Sequence, residues 1–100
     1  MTHQEIRQAA HDKAMQIYGG CDPRNIDDAI ADGIKDGDRI PIGGGVHVHI
    51  AADNAEFVKD DKVVNTVPLA SMTDAQRDML LVCKASHASR VGYEIMGKAV

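Results

Sequence analysis

Residues 39–50 read RIPIGGGVHVHI, and this stretch decides the fold class because its apolar residues recur at every second position. The apolar residues of one parity are Ile40, Ile42, Val46, Val48 and Ile50. The other parity carries Pro41, His47 and His49. Successive side chains of a β-strand point to opposite faces of the sheet, so the alternation predicts a strand with one buried face. The glycine run at 43–45 predicts a bulge or a flexible loop within this strand.

Two further strands are predicted downstream of this stretch. Residues 56–58 and 62–67 are rich in β-branched and aromatic side chains, and turn-forming residues at 52–54 and 59–61 bound them. Pro68 closes the second run. The three segments together predict a three-stranded antiparallel meander.

Helical periodicity flanks the meander on both sides. Thr2 and Glu5 form the pattern of a capping box, which predicts a helix over residues 3–18. Asp22 and Pro23 supply an N-cap and a first-turn proline, and the next apolar stripe extends the second helix to about Gly37. That stripe comprises Ile26, Ala29, Ile30, Gly33 and Ile34. A second capping box at Thr73 begins a final helix that runs to about residue 98.

The predicted fold class is therefore α+β, with residues 1–100 forming a single domain. Two N-terminal helices, the three-stranded antiparallel meander and the long C-terminal helix follow one another, and the helices pack on one face of the sheet.

Composition excludes several classes of protein. No apolar run approaches the roughly 18 residues that cross a bilayer, and the N-terminus lacks the pattern of a secretory signal. Two cysteines are too few for a disulfide framework, which favours a cytoplasmic protein with no membrane association. A net charge of −4 and an aromatic content of 3% disfavour direct nucleic-acid binding, which needs a cationic surface.

Residues 22–38 are strongly acidic. They hold six aspartates against Arg24 and Lys35, a local net charge of −4 that equals the net charge of the whole chain. Because the helical period places Asp27, Asp28 and Asp32 off the apolar stripe, we expect them to face solvent and to contact a protein partner with a basic surface.

His47 and His49 raise the question of a metal site. Two imidazoles at alternate strand positions can ligate one ion, but no spacing in the sequence marks a third ligand. The favoured interpretation places both histidines on the polar outer face of the strand, where they contact a partner. We expect no metal and no cofactor.

The last helix carries a stripe of small residues that includes Ala85, Ala88 and Gly92. Small side chains let a second backbone approach closely, so this stripe predicts a homo-oligomer. Cys83 and His87, four positions apart, are able to share a metal or to form a nucleophilic pair. A cysteine within the apolar run at 79–83 is more typical of a buried hydrophobic residue.

These observations favour a small non-enzymatic interaction or regulatory module of the inhibitor or accessory-factor type, which presents its acidic helix to a basic partner. No catalytic residue is predicted. The alternative is a small metal-binding or phosphate-binding enzyme centred on His47, His49 and the glycine loop at Gly43–Gly45.

Overall fold

The computed structural model describes residues 1–99, with side chains described for residues 1–90. The described residues form three α-helices and four β-strands. In chain order they are α1 (His3–Tyr18), α2 (Pro23–Asp32), β1 (Arg39–Gly43), β2 (Val46–Ala51), β3 (Asn54–Lys59), β4 (Lys62–Pro68) and α3 (Asp74–Ala99), with one 3₁₀ turn (Leu69–Ser71) before α3. The predicted α+β class is confirmed. Of the described helices, none combines the length and the apolar character that crossing a bilayer requires.

The sheet has four antiparallel strands in the order β1-β2-β3-β4, so the prediction of three strands was wrong. Gly43, Gly44 and Gly45 have φ values of 100°, 64° and 76°, a region that favours glycine, and there the chain reverses into a hairpin. Ile40 pairs directly with Val48 across this hairpin. The turn thus preserves the alternating parity, which is why periodicity alone could not distinguish one long strand from two.

Local capping explains where the helices begin and end. The Thr2 and Glu5 capping box begins α1 as predicted, and the reciprocal hydrogen bonds of Thr73 and Gln76 begin α3. The expected extension of α2 to about Gly37 was wrong, because Gly33 ends the helix with a φ of 69°. Ile34 then packs against the sheet core rather than continuing the helical stripe.

Among residues 1–90, buried side chains form two core clusters, and α3 contributes to both. The helical cluster joins α1, α2 and α3 and comprises Ile6, Ala10, Ile26, Ala29, Ile30, Val82 and Ala85. The sheet cluster comprises Ile40, Val48, Ile50, Ala55, Met72, Leu80 and Cys83. Because α3 is covered on two sides here, its segment 79–83 is apolar almost all round. In the last turn of α1, Ile17 is exposed.

Candidate functional site

Most aspartates of the acidic segment have structural partners within the chain. Asp22 caps α2, and Asp38 pairs with Lys84 of α3 at 2.9 Å. Asp36 accepts a hydrogen bond from the Ala52 backbone N–H at 3.0 Å. The segment therefore ties the helices to the sheet, a role that its charge pattern did not predict.

Asp22 has the clearest electrostatic signature of the segment. The Arg24 guanidinium donates to its carboxylate and holds the pKa of Asp22 below its ordinary value, although the burial of Asp22 opposes this shift. Reciprocally, the Asp22 carboxylate raises the pKa of Arg24. The pair stabilises the start of α2 and is not available as a partner-binding charge.

The three aspartates expected to face solvent differ in their surroundings. Asp27 is about half exposed and accepts a hydrogen bond from Arg7 Nε of α1 at 2.8 Å. Asp32 forms an exposed pair with Lys35 at 3.3 Å. Asp28 is exposed, and its negative charge contributes to the raised pKa of Arg24. Asp28 and Asp32 thus carry the accessible negative charge of α2.

A shallow hollow of about 370 Å³ lies between α2 and α3 beside these two carboxylates. Its lining residues are Asn25, Asp28, Ala29, Asp32, Lys84 and Ala88. The Lys84 ammonium is already paired with Asp38 and donates to the Gly33 carbonyl oxygen. The hollow therefore offers its remaining charge, from Asp28 and Asp32, to a cation that approaches from solvent.

His47 and His49 have different neighbours, although both lie on β2. His49 faces its cross-strand partner Glu56, with 3.4 Å between Nδ1 and Oε1. His47 Nε2 is buried and has no hydrogen-bond partner within the described part of the chain. Among the residues with described side chains, no three His, Cys, Asp or Glu form a group that would hold a metal ion.

His47 instead lines a pocket of about 470 Å³ beside the β1–β2 hairpin. The other lining residues are Arg39, Pro41, Gly43, Gly45, Val46 and His87. The structure therefore brings the glycine loop and His47 together, whereas His49 is not among the lining residues. His87 of α3 is an addition that sequence spacing, which had linked it to Cys83, did not predict.

The small residues of α3 largely contact the same chain. Ala85 is fully buried in the helical cluster, and the Ala88 carbonyl oxygen accepts a hydrogen bond from Asn25 Nδ2 of α2 at 3.2 Å. Gly92, the third residue of the predicted self-association stripe, lies beyond residues 1–90, for which side chains and burial are described. Self-association stays a prediction, but Ala85 already meets α1 and α2 and would have to leave the core to reach a second chain.

An apolar groove of about 470 Å³ opens between the sheet and the N-terminal half of α3, and the sequence did not predict it. Ile42, Phe57 and Val67 line it from the sheet, and Met79, Leu80 and Cys83 line it from α3. The only sequence signal for it was the apolar run at 79–83, because a helix with one buried face does not need five consecutive apolar residues. Lys13 of α1 also lines the groove, and no sequence pattern had pointed to it.

Known proteins provide no assignment for these sites, so their chemistry is the basis for interpreting them. The chain matches no protein-family model, and neither a curated protein nor a solved structure matches it.

Proposed function

We propose that this protein is a non-enzymatic, cytoplasmic interaction or regulatory module that binds a basic surface of another protein. The observation that carries the proposal is the hollow between α2 and α3, with Asp28 and Asp32 beside it. These residues are one helical turn apart, so their carboxylates lie on the same side of α2. A lysine or arginine of the partner that enters the hollow meets two negative charges.

The burial pattern of α2 supports this orientation. Ile26, Ala29 and Ile30 face the helical cluster, so the opposite side of α2 is presented to solvent. The exposed pair between Asp32 and Lys35 is no obstacle, because ion pairs of this kind contribute only about 0–1 kcal/mol. Exchange of Lys35 for a partner cation therefore requires little free energy.

Charge reversal tests the proposal. Tagged wild-type protein, the Asp28→Lys variant and the Asp32→Lys variant are used to capture proteins from source-cell lysate, followed by quantitative mass spectrometry. Asp12→Lys on α1 is the matched control, since Asp12 is also an exposed helical aspartate. We expect a partner that both α2 variants lose and the control retains. If the wild type and the three variants capture the same set of proteins, the proposal that α2 binds the partner is contradicted.

The purified partner then permits a kinetic test. Rim charges act mainly on association, so Asp28→Lys should lower the association rate and its dependence on salt, with little change in the dissociation rate. A change confined to the dissociation rate would place Asp28 in a desolvated contact and would contradict a steering role.

The hairpin pocket supports a second candidate function, the binding of a small phosphate-type anion. Arg39 supplies a positive charge there, the buried His47 Nε2 has no hydrogen-bond partner among the described side chains, and the glycine backbone is accessible. Titration with inorganic phosphate, followed by NMR, should shift the His47 ring signals at one saturable site. Loss of that shift in Arg39→Gln but not in Arg77→Gln would support the site, and equal shifts in both variants would eliminate it.

A further inference from the structure

The groove between the sheet and α3 is incompletely filled. Ile42, Phe57 and Val67 are only partly buried, and Met79 keeps 52% of its surface exposed. Helices α1 and α2 place their buried residues in the other cluster, so α3 is the helix that contributes buried residues to the sheet cluster. A volume of about 470 Å³ lies within the range of small-ligand sites, which are typically about 300–1,000 Å³.

Lys13 indicates the chemical class of ligand that the groove binds, which the apolar walls alone do not. Its ammonium is partly buried, and the described residues show a single polar partner for it, the Cys83 sulfur at 3.4 Å. A thiol is a weak hydrogen-bond acceptor and carries no compensating charge when protonated. Cations removed from water are normally paired with anions, so this position lacks the negative charge that it would ordinarily have.

The missing charge is notable because the chain has an excess of carboxylates. Arg7, Lys35 and Lys84 each have an aspartate partner. Lys13 is thus a partly buried cation beside an apolar groove, and the described residues supply no carboxylate partner for it.

We infer that the groove binds a medium-chain free carboxylic acid. The carboxylate pairs with the Lys13 ammonium, and the alkyl chain lies against Ile42, Phe57, Val67 and Leu80. A monoanion fits a site with one cation, whereas the apolar walls offer no further charge for a dianion such as phosphate. This inference is independent of the acidic surface of α2, and either proposal can fail alone.

Calorimetric titration with decanoate tests the inference, with decylamine as a probe of the same length and opposite charge. We expect saturable one-to-one binding of decanoate and no saturable binding of decylamine. Affinity should rise about fourfold for each methylene from hexanoate to decanoate, because each buried methylene contributes a roughly constant transfer free energy. Chemical-shift changes should map to the groove residues.

Two pairs of variants locate the site. Lys13→Gln should weaken decanoate binding about tenfold or more, whereas Lys59→Gln, at the end of β3 and away from the groove, should not change it. Met79→Glu places a carboxylate beside the apolar wall and should also weaken binding, whereas Met15→Glu on α1 should not. Met79 is half exposed, so its replacement tests the site even if Lys13→Gln does not fold, which circular dichroism would show.

Three results would overturn the inference. Equal decanoate affinity in Lys13→Gln and Lys59→Gln would remove the role of the cation, and equal affinity for decanoate and decylamine would remove the charge preference. A wild-type dimer that Met79→Glu converts to a monomer, in the absence of decanoate binding, would assign the groove to a second copy of the chain.

Discussion

The helical half and the sheet half of this protein differ in how completely their cores are closed. In the helical half, Ala10 and Ala85 are fully buried, and small side chains bring α1, α2 and α3 close together. In the sheet half, Ile40, Val48 and Ile50 are buried, but Ile42, Phe57 and Val67 border an open groove. Helix α3 packs in both halves, with Val82 and Ala85 in the helical cluster and Leu80 and Cys83 in the sheet cluster.

This difference links the helical half mainly to stability and the sheet half mainly to binding. The helical cluster packs small side chains of three helices against one another, so its main contribution is to hold α3 in position. The half-closed sheet cluster leaves apolar surface in contact with water, and such surface commonly marks a binding site. The acidic hollow lies in the helical half, where α2 and α3 meet at the surface.

The largest expected effect comes from the same truncation made in both halves. Ile26→Ala in the helical cluster should lower the free energy of unfolding by about 2–5 kcal/mol, because Ile26 is 1% exposed and its truncation leaves a cavity in the core. Ile42→Ala beside the groove should cost less, about 1 kcal/mol, since part of that side chain already meets water. Urea unfolding measures both. Equal losses would show that the groove is as closed as the helical cluster.

A second, smaller effect concerns the turns of the sheet half. Gly44 has a φ of 64° at the β1–β2 hairpin, so Gly44→Val should cost about 1–2 kcal/mol. Ala52 has a φ of 51° in the next turn, and there Ala52→Gly should cost nothing or slightly stabilise the protein. The midpoint of thermal unfolding should thus fall for Gly44→Val and should stay unchanged or rise for Ala52→Gly. A loss in Ala52→Gly as large as that in Gly44→Val would contradict a conformational cause.

The sequence predicted the local features of both halves well. The capping residues Thr2, Asp22 and Thr73 each begin a helix where their spacing indicated, because a cap depends on residues only two or three positions away. Alternation in residues 39–50 identified the buried face of the sheet. It did not reveal the hairpin, because cross-strand partners such as Ile40 and Val48 have the same parity.

The sites were less predictable because they depend on contacts between distant residues. Lys13 and Cys83 are 70 positions apart, and nothing in either neighbourhood indicates their contact. Likewise, the charge pattern of α2 did not show that Arg7 reaches Asp27 from α1. Local sequence indicates which residues are polar, but the packing of the helices determines which of them stay accessible.

Electrostatics in the helical half provide a pH-dependent prediction. The pKa of Asp22 is lowered in the folded protein, mainly by the hydrogen bond from Arg24, so its charge stabilises the fold above the unfolded pKa of about 3.9. That contribution is lost as the pH falls through the lower, folded pKa. Asp22→Asn keeps a good N-cap but removes the charge.

Unfolding of the wild type and Asp22→Asn from pH 7 to pH 2 measures this contribution. The difference in their unfolding free energies should be greatest near neutral pH and should shrink in acid. Arg24→Gln should show the same trend, because it removes the other half of the pair. A difference that stays constant with pH would assign the effect of Asp22 to capping alone.

The smallest expected effect distinguishes the two kinds of aspartate on α2. Asp27→Asn removes a half-exposed pair with Arg7 and should cost about 0.5 kcal/mol, and salt should reduce this cost. Asp28→Asn should leave the free energy of unfolding unchanged, because Asp28 does not connect α2 to α1. A double-mutant cycle with Arg7→Gln isolates the contact: coupling is expected for Asp27 and none for Asp28. Equal coupling would mean that Arg7 acts through the general acidity of α2 rather than through one contact. In that case Asp28 would also belong to the internal structure of the helical half, and its charge would no longer be free for a partner.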